Sequence, residues 1–328
     1  MLYPIKFENL YYSKVWGGRD LELFRNNLPE GKIGESWDIA CHKNGMGIVA
    51  NGKLKGIRFD ELISNEGKKL LGRKIKTDRF PLLVKLINAR DKLSIQVHPD
   101  NIYANNVEKD WGKSEIWYVM EAAKGASLIL GTKNIISGTE LKSAVRKGVL
   151  EKHLNKVYVN KGDVYFIKSG LVHAIGAGVI VAEIQQNSDI TYRIYDYGRE
   201  RELHIEKALH VIDFNLRGEK IRGITLKKRG YEKTYLCLCR EFSLELYNIH
   251  TEVIEESDEE RFYIFTCVRG FGNLIYEEGA LSIFIGDSIL IPAFLGRYIL
   301  RGNMDILKSY VPDCSKVEKE ILKEIKKF

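Results

Sequence analysis

A chain of 328 residues, 45% hydrophobic and 29% charged, carries enough apolar material for two globular domains. No apolar run is long enough to span a bilayer, and the start Met1-Leu2-Tyr3-Pro4-Ile5-Lys6 lacks the pattern of a signal peptide, so a cytoplasmic protein without a membrane partner is expected. The formal charge of +7 is modest and its densest basic stretch, 217–229, holds no aromatics, which argues against nucleic acid and suits a phosphorylated small molecule.

Taken in order, the chain is dominated by short runs rich in Val, Ile, Tyr and Phe, with Gly, Asn or Asp between them. A helical pattern at 59–71 precedes strand patterns at 81–88, 114–121 and 127–130. A second helical pattern at 139–147 is followed by strands at 164–168, 179–186 and 191–195, then by a helix at 204–212. After the basic stretch a second strand-rich block runs over 231–311. A closing helix at 316–327 gathers Val317, Ile321, Leu322 and Ile325 into one apolar stripe. This cadence predicts an all-β fold of sandwich or barrel type with a few peripheral helices, divided into domains at 1–228 and 229–328. Five cysteines (Cys41, Cys237, Cys239, Cys267 and Cys314) are scattered and odd in number, which predicts reduced packing thiols rather than a disulfide framework.

The chemistry concentrates in three stretches. In Leu93-Ser94-Ile95-Gln96-Val97-His98-Pro99-Asp100, strand alternation puts Gln96 and His98 on one face and Ile95 and Val97 on the other. Lys113-Ser114-Glu115-Ile116-Trp117-Tyr118-Val119 is a β-branched and aromatic strand with a carboxylate at its entrance. Gly170-Leu171-Val172-His173-Ala174-Ile175 adds a further imidazole. A single buried histidine is usually a satisfied core residue, but two polar side chains on one face of a core strand need buried partners. Together Gln96, His98, Glu115 and His173 read as a metal site. Their nitrogens and hard oxygens suit a divalent ion such as zinc.

An internal echo links the two halves. Gly162-Asp163-Val164-Tyr165-Phe166-Ile167 matches Gly286-Asp287-Ser288-Ile289-Leu290-Ile291, and the register continues from Ile175 to Ile299 and from Gly178 to Gly302. His173 then falls on Arg297 and Glu183 on Leu307. The expectation is one architecture twice, with one metal per chain, in the first copy only.

These residues resemble the type I mannose-6-phosphate isomerases, zinc enzymes of the cupin superfamily, and among them the shorter bacterial branch. The resemblance runs through Val15-Trp16-Gly17-Gly18, Gly34-Glu35-Ser36-Trp37, Phe80-Pro81-Leu82-Leu83-Val84-Lys85, the Gln-Val-His-Pro-Asp and Lys-x-Glu elements, and Asn187-Ser188-Asp189-Ile190-Thr191-Tyr192-Arg193. It implies two cupin-type jelly-roll or β-barrel domains and interconversion of mannose 6-phosphate and fructose 6-phosphate. It also implies zinc on Gln96, His98, Glu115 and His173, and an active-site set of Lys85, Lys113, Glu183, Asp189 and Arg193. Longer members place a histidine before the lysine of Lys-x-Glu. Here that position is Gly112, so no role of that histidine carries over.

Moving a proton between neighbouring carbons of an aldose and a ketose phosphate needs a Lewis acid, cations for enediolate or phosphate charge, and a base. Either a lysine of lowered pKa or Glu183 could be that base. Plainer readings are that Lys85 snorkels to solvent and that Asp189 and Arg193 form an ordinary ion pair. If the chain from 183 to 193 is one unbroken strand, alternation puts Glu183, Asp189 and Arg193 on one face. A cupin oxygenase would use iron on two histidines and a carboxylate, and Gln96 with its cationic surroundings argues against it. A non-catalytic sugar-binding cupin would have lost ligands that are present here. Monomer and homodimer both remain open.

Overall fold

The computed structural model describes residues 2–75 and 79–326. Strands dominate and helices are few. The expected strands form as Leu82–Ala89, Glu115–Ala122, Ser127–Thr132, Val164–Ile167, Val179–Gln186 and Tyr192–Tyr195. The helix expected at 59–71 is two, Phe59–Glu66 and Lys68–Leu71, because Gly67 at φ 47° sits where an L side chain is strained and breaks the run. The closing helix is Cys314–Ile325, and Lys327 of the expected segment lies outside the described residues. No described helix is long and apolar enough to cross a membrane.

The chain forms two compact units, and neither is contiguous. One contains residues 11–36 and 86–221, the other 1–10, 37–85 and 222–328. The expected division at 228/229 therefore differs from the structure. Ile5 bridges to Leu290, and Leu70 and Leu71 accept backbone bonds from Ala293 and Phe262, so the early segments belong with the late strands. Strand pairing is long-range, and composition gave no sign of that exchange.

In the unit of 11–36 and 86–221, a five-stranded sheet runs in the order Tyr192–Tyr195, Ile95–Val97, His173–Ile175, Ser127–Thr132, Leu154–Tyr158. Facing it is a sheet to which Glu115–Ala122, Val179–Gln186 and Val164–Ile167 belong. Trp117, Val119, Val179 and Val181 from this sheet pack with Leu128, Leu130 and Ile175 from the first, so the inner faces of the two sheets meet. Alternation sends Ile95, Val97, Val172, Ala174, Tyr192 and Ile194 to the opposite face. There they bury beneath Leu141 and Ala144 of helix Gly138–Arg146 and Ala208 of helix Ile205–Val211. That outer packing fixes which side chains look inward: Gln96 and His98 between the outer apolar residues, and His173 between Val172 and Ala174.

In the other unit an eight-stranded sheet is organised by two long strands, Tyr263–Tyr276 and Arg297–Tyr310. One apolar core fills it, and Val317 and Ile321 of the closing helix pack on that core. The internal echo is a shared turn. Asp163 Oδ2 accepts the Asn160 N–H at 3.0 Å, and Asp287 Oδ2 accepts the Phe284 N–H at 2.8 Å. Gly162 donates to Val119 O and Gly286 to Cys267 O, both at 2.8 Å. Beyond the turn the copies diverge. His173 is fully buried, whereas Arg297 is exposed and Tyr298 takes the buried position. All five cysteines are free thiols, as expected.

Candidate active site

Register places the donors. His173 lies directly opposite Gln96, and Arg193 lies opposite Gln96 on its other side, so three polar side chains form one row across three antiparallel strands. On the facing sheet Gln185 lies opposite Glu115 and Glu183 opposite Trp117. The Pro99-Asp100 step ends the strand of His98: Pro99 has no N–H to pair, and Asp100 caps helix Asn101–Val107 by accepting the Tyr103 N–H at 2.8 Å. Gly170 donates to His98 O at 2.9 Å, which ties the approach to His173 onto the His98 segment.

The donor atoms converge. His98 Nε2 is 3.6 Å from Glu115 Oε2, and His173 Nε2 is 3.6 Å from Glu115 Oε1. The Gln96 amide nitrogen is 3.3 Å from His173 Nε2. His98, Glu115 and His173 are at most 1% exposed, and one ligand atom from each lies within 4.8 Å of the others. Backbone carbonyls set the tautomers: Ile190 O is 2.8 Å from His98 Nδ1, and Leu171 O is 2.9 Å from His173 Nδ1. With Nδ1 carrying the proton, both Nε2 lone pairs point at a carboxylate. Burial pushes His173 down to about 4, so it is neutral. Lone pairs crowded in a buried space repel one another unless a cation lies among them. The donor set therefore fits a divalent metal.

Four more of the expected residues, Lys113, Glu183, Asp189 and Arg193, lie in the same unit as the donors. Lys113 Nζ is 2.9 Å from Glu115 Oε2. Burial opposes its charge, but Glu115 and Glu183 outweigh that and hold it above its ordinary value. Glu183 accepts a 2.9 Å hydrogen bond from the Trp117 indole N–H. The strand from 183 to 193 is broken, which corrects the single-face expectation. Glu183 lies on Val179–Gln186 in one sheet and Arg193 on Tyr192–Tyr195 in the other. The turn between them is held by Ser188 N–H donating to Gln186 O and by the Gln185 amide donating to Gln186 O and Ser188 O. Arg193 donates from Nη1 to Glu202 O at 2.7 Å, forms no ion pair among the described residues, and has a buried Nε without a hydrogen-bond partner. The plain Asp189–Arg193 pair is thus not formed. Asp189 is half-buried in the turn, where with Glu35 it raises the Tyr12 phenol above its ordinary value after burial has done so first. Lys85 belongs to the other unit. It does not snorkel: it is 5% exposed and its Nζ lies 4.7 Å from the Trp37 ring centroid.

Three features escaped the sequence reading. Gln185 is fully buried, and its Oε1 has no hydrogen-bond partner among the described residues. The segment carrying Lys113 is clamped on both sides, Gly112 N–H to Asn101 Oδ1 at 2.9 Å and Ser114 N–H to Gln186 Oε1 at 2.8 Å. Trp117 reaches Glu183. Period-2 counting from Glu115 and Glu183 would have flagged Trp117 and Gln185; nothing local marks the clamp.

Comparison with known proteins identifies the family. The phosphomannose isomerase type I catalytic-domain family matches residues 5–125, and the mannose-6-phosphate isomerase cupin domain matches 231–311. Mannose-6-phosphate isomerase ManA of Bacillus subtilis is 35% identical over 315 residues, covering 94% of this chain and 99% of that protein. The chain belongs to the type I phosphomannose isomerase family. Another relative in that family, the mannose-6-phosphate isomerase of Streptococcus mutans, is 34% identical over 96% of this chain and its own full length. The crystal structure of the Bacillus subtilis mannose 6-phosphate isomerase superposes with a TM-score of 0.88 at 33% identity, covering 94% of this chain and 99% of that one. A putative mannosephosphate isomerase from Archaeoglobus fulgidus, 22% identical, shares the fold at a TM-score of 0.77 over 94% and 98% of the two chains.

Proposed function

We propose that this phosphomannose isomerase family member is a zinc enzyme that interconverts mannose 6-phosphate and fructose 6-phosphate through an enediol, with one metal per chain. The carrying observation is the buried convergence of His98, Glu115 and His173, joined by Gln96, in a chain that aligns nearly end to end with mannose-6-phosphate isomerases. The fold reading that goes with it is two cupin-type jelly rolls, the catalytic one holding these four residues.

Zinc held by Gln96, His98, Glu115 and His173 would polarise the oxygens at C1 and C2, making the C2 proton acidic enough to remove. Glu183, which accepts the Trp117 N–H, takes that proton and returns it to C1. Lys113, held charged by Glu115 and Glu183, donates to the oxygen on which negative charge develops. Arg193, whose Nε has no hydrogen-bond partner among the described residues, offers its guanidinium to enediolate or phosphate. Asp189 stands in the turn between Glu183 and Arg193.

The test is a coupled assay on mannose 6-phosphate with purified protein, before and after chelation and after zinc is restored. Turnover that survives complete removal of metal overturns the proposal.

A further inference from the structure

We propose that Trp117 is a positioning residue for the isomerisation, holding Glu183 in its working orientation through the indole N–H; this rests on the isomerase reading above. Strand register makes the contact obligatory. Glu183 and Trp117 are direct partners on adjacent antiparallel strands, so both side chains leave the sheet on one face. The indole is 1% exposed and Glu183 4% exposed, and the bond between them is 2.9 Å. A buried carboxylate rotates about its side-chain bonds unless a partner fixes it, and a charged acceptor makes that bond a strong one. The same ring meets the His173 imidazole edge-on at a centroid distance of 5.5 Å. One rigid side chain thus sets the spacing between the proton-carrying carboxylate and a metal-ligand imidazole from the opposite sheet.

The test uses the zinc-loaded full chain. Trp117→Phe keeps an aromatic ring against His173 and deletes the donor together with part of the ring volume. If that variant does not fold, benzothienylalanine installed at 117 removes the N–H at nearly unchanged shape. Loss of one hydrogen bond to a charged group predicts a fall in kcat of about 10- to 100-fold, with KM within about threefold and metal content unchanged. In a Glu183→Ala background the same substitution should change kcat by less than about twofold, since the group it positions is gone. Normal kcat in both donor-deleted proteins overturns the proposal, as does an equal loss with and without Glu183. A wild-type protein that does not turn over mannose 6-phosphate would instead bring down the isomerase reading, and the positioning role with it.

Discussion

His173 faces Gln96 across an antiparallel pair, and their side-chain nitrogens come within 3.3 Å although 77 residues separate them in the chain. Two strands too short to be stable alone are locked in this register by Val172 and Ala174 packing outward beside Ile95 and Val97. A slip of one residue would turn both polar side chains away from Glu115.

Elemental analysis of active protein should give one zinc per chain, bound in the unit of His98 and Glu115. Arg297 stands in the second copy where His173 stands in the first, and it is exposed. Two tightly held metals, or none in active protein, would contradict this.

His98→Ala and Glu115→Ala should lose metal and turnover together. Each removes one donor from a buried cluster, whereas the apolar cluster on the outer face of the five-stranded sheet is untouched. Metal content, kcat and circular dichroism measured on one preparation check it. Full zinc with wild-type turnover in either variant would remove that residue from the site.

Arg193→Lys should fold and bind zinc normally while kcat/KM falls about tenfold or more, since a lost charge-assisted hydrogen bond is worth ~1.5–3 kcal/mol. The structure sharpens this expectation, because the guanidinium forms no ion pair among the described residues and its Nε is buried without a partner. Near-normal kinetics with a markedly lower Tm would make the role structural.

Gly112→Ala should be costly despite adding one methyl group. The new Cβ would lie 2.4 Å from the Asp100 carbonyl carbon and 2.5 Å from the Asn101 nitrogen, both backbone atoms. The segment must shift, and Lys113 with it, at ~1–3 kcal/mol of stability for overpacking. We expect a lower Tm and reduced kcat. A variant indistinguishable from wild type would show that Lys113 tolerates displacement.

Acid stability should depend on Glu255 in the second copy. Its carboxylate lies 2.6 Å from Lys308 Nζ and 3.1 Å from the Tyr298 hydroxyl. Burial raises its pKa, but Lys308 and Lys233 outweigh that and push it down to about 2. A folded value below the unfolded one stabilises the protein above the unfolded pKa and is lost as pH falls toward 2. Glu255→Gln should therefore lower the urea midpoint at pH 7, by an effect on the order of 2–3 kcal/mol, with the gap closing between about pH 4.5 and pH 2. A pH-independent gap would assign the loss to packing alone.

The sequence by itself determined the mostly-β character and most strand positions, and it singled out Gln96, His98, Glu115 and His173 as candidate donors, because each is written locally. Alternation around Ile95 and Val97 put Gln96 and His98 on one face, and the Gly-Asp turn announced the repeat at 286–291. What only the tertiary structure decided depends on strand pairing between distant segments. It exchanged residues 1–10 and 37–85 into the second unit, broke the chain between Glu183 and Arg193 so that the two approach from opposite sheets, and left Asp189 apart from Arg193. It also set Trp117 against Glu183 and Gln185 against Glu115. Alternation says which residues share a face within a strand. Which strand lies beside or opposite it is set by hydrogen-bond register and core packing, and those are properties of the folded chain.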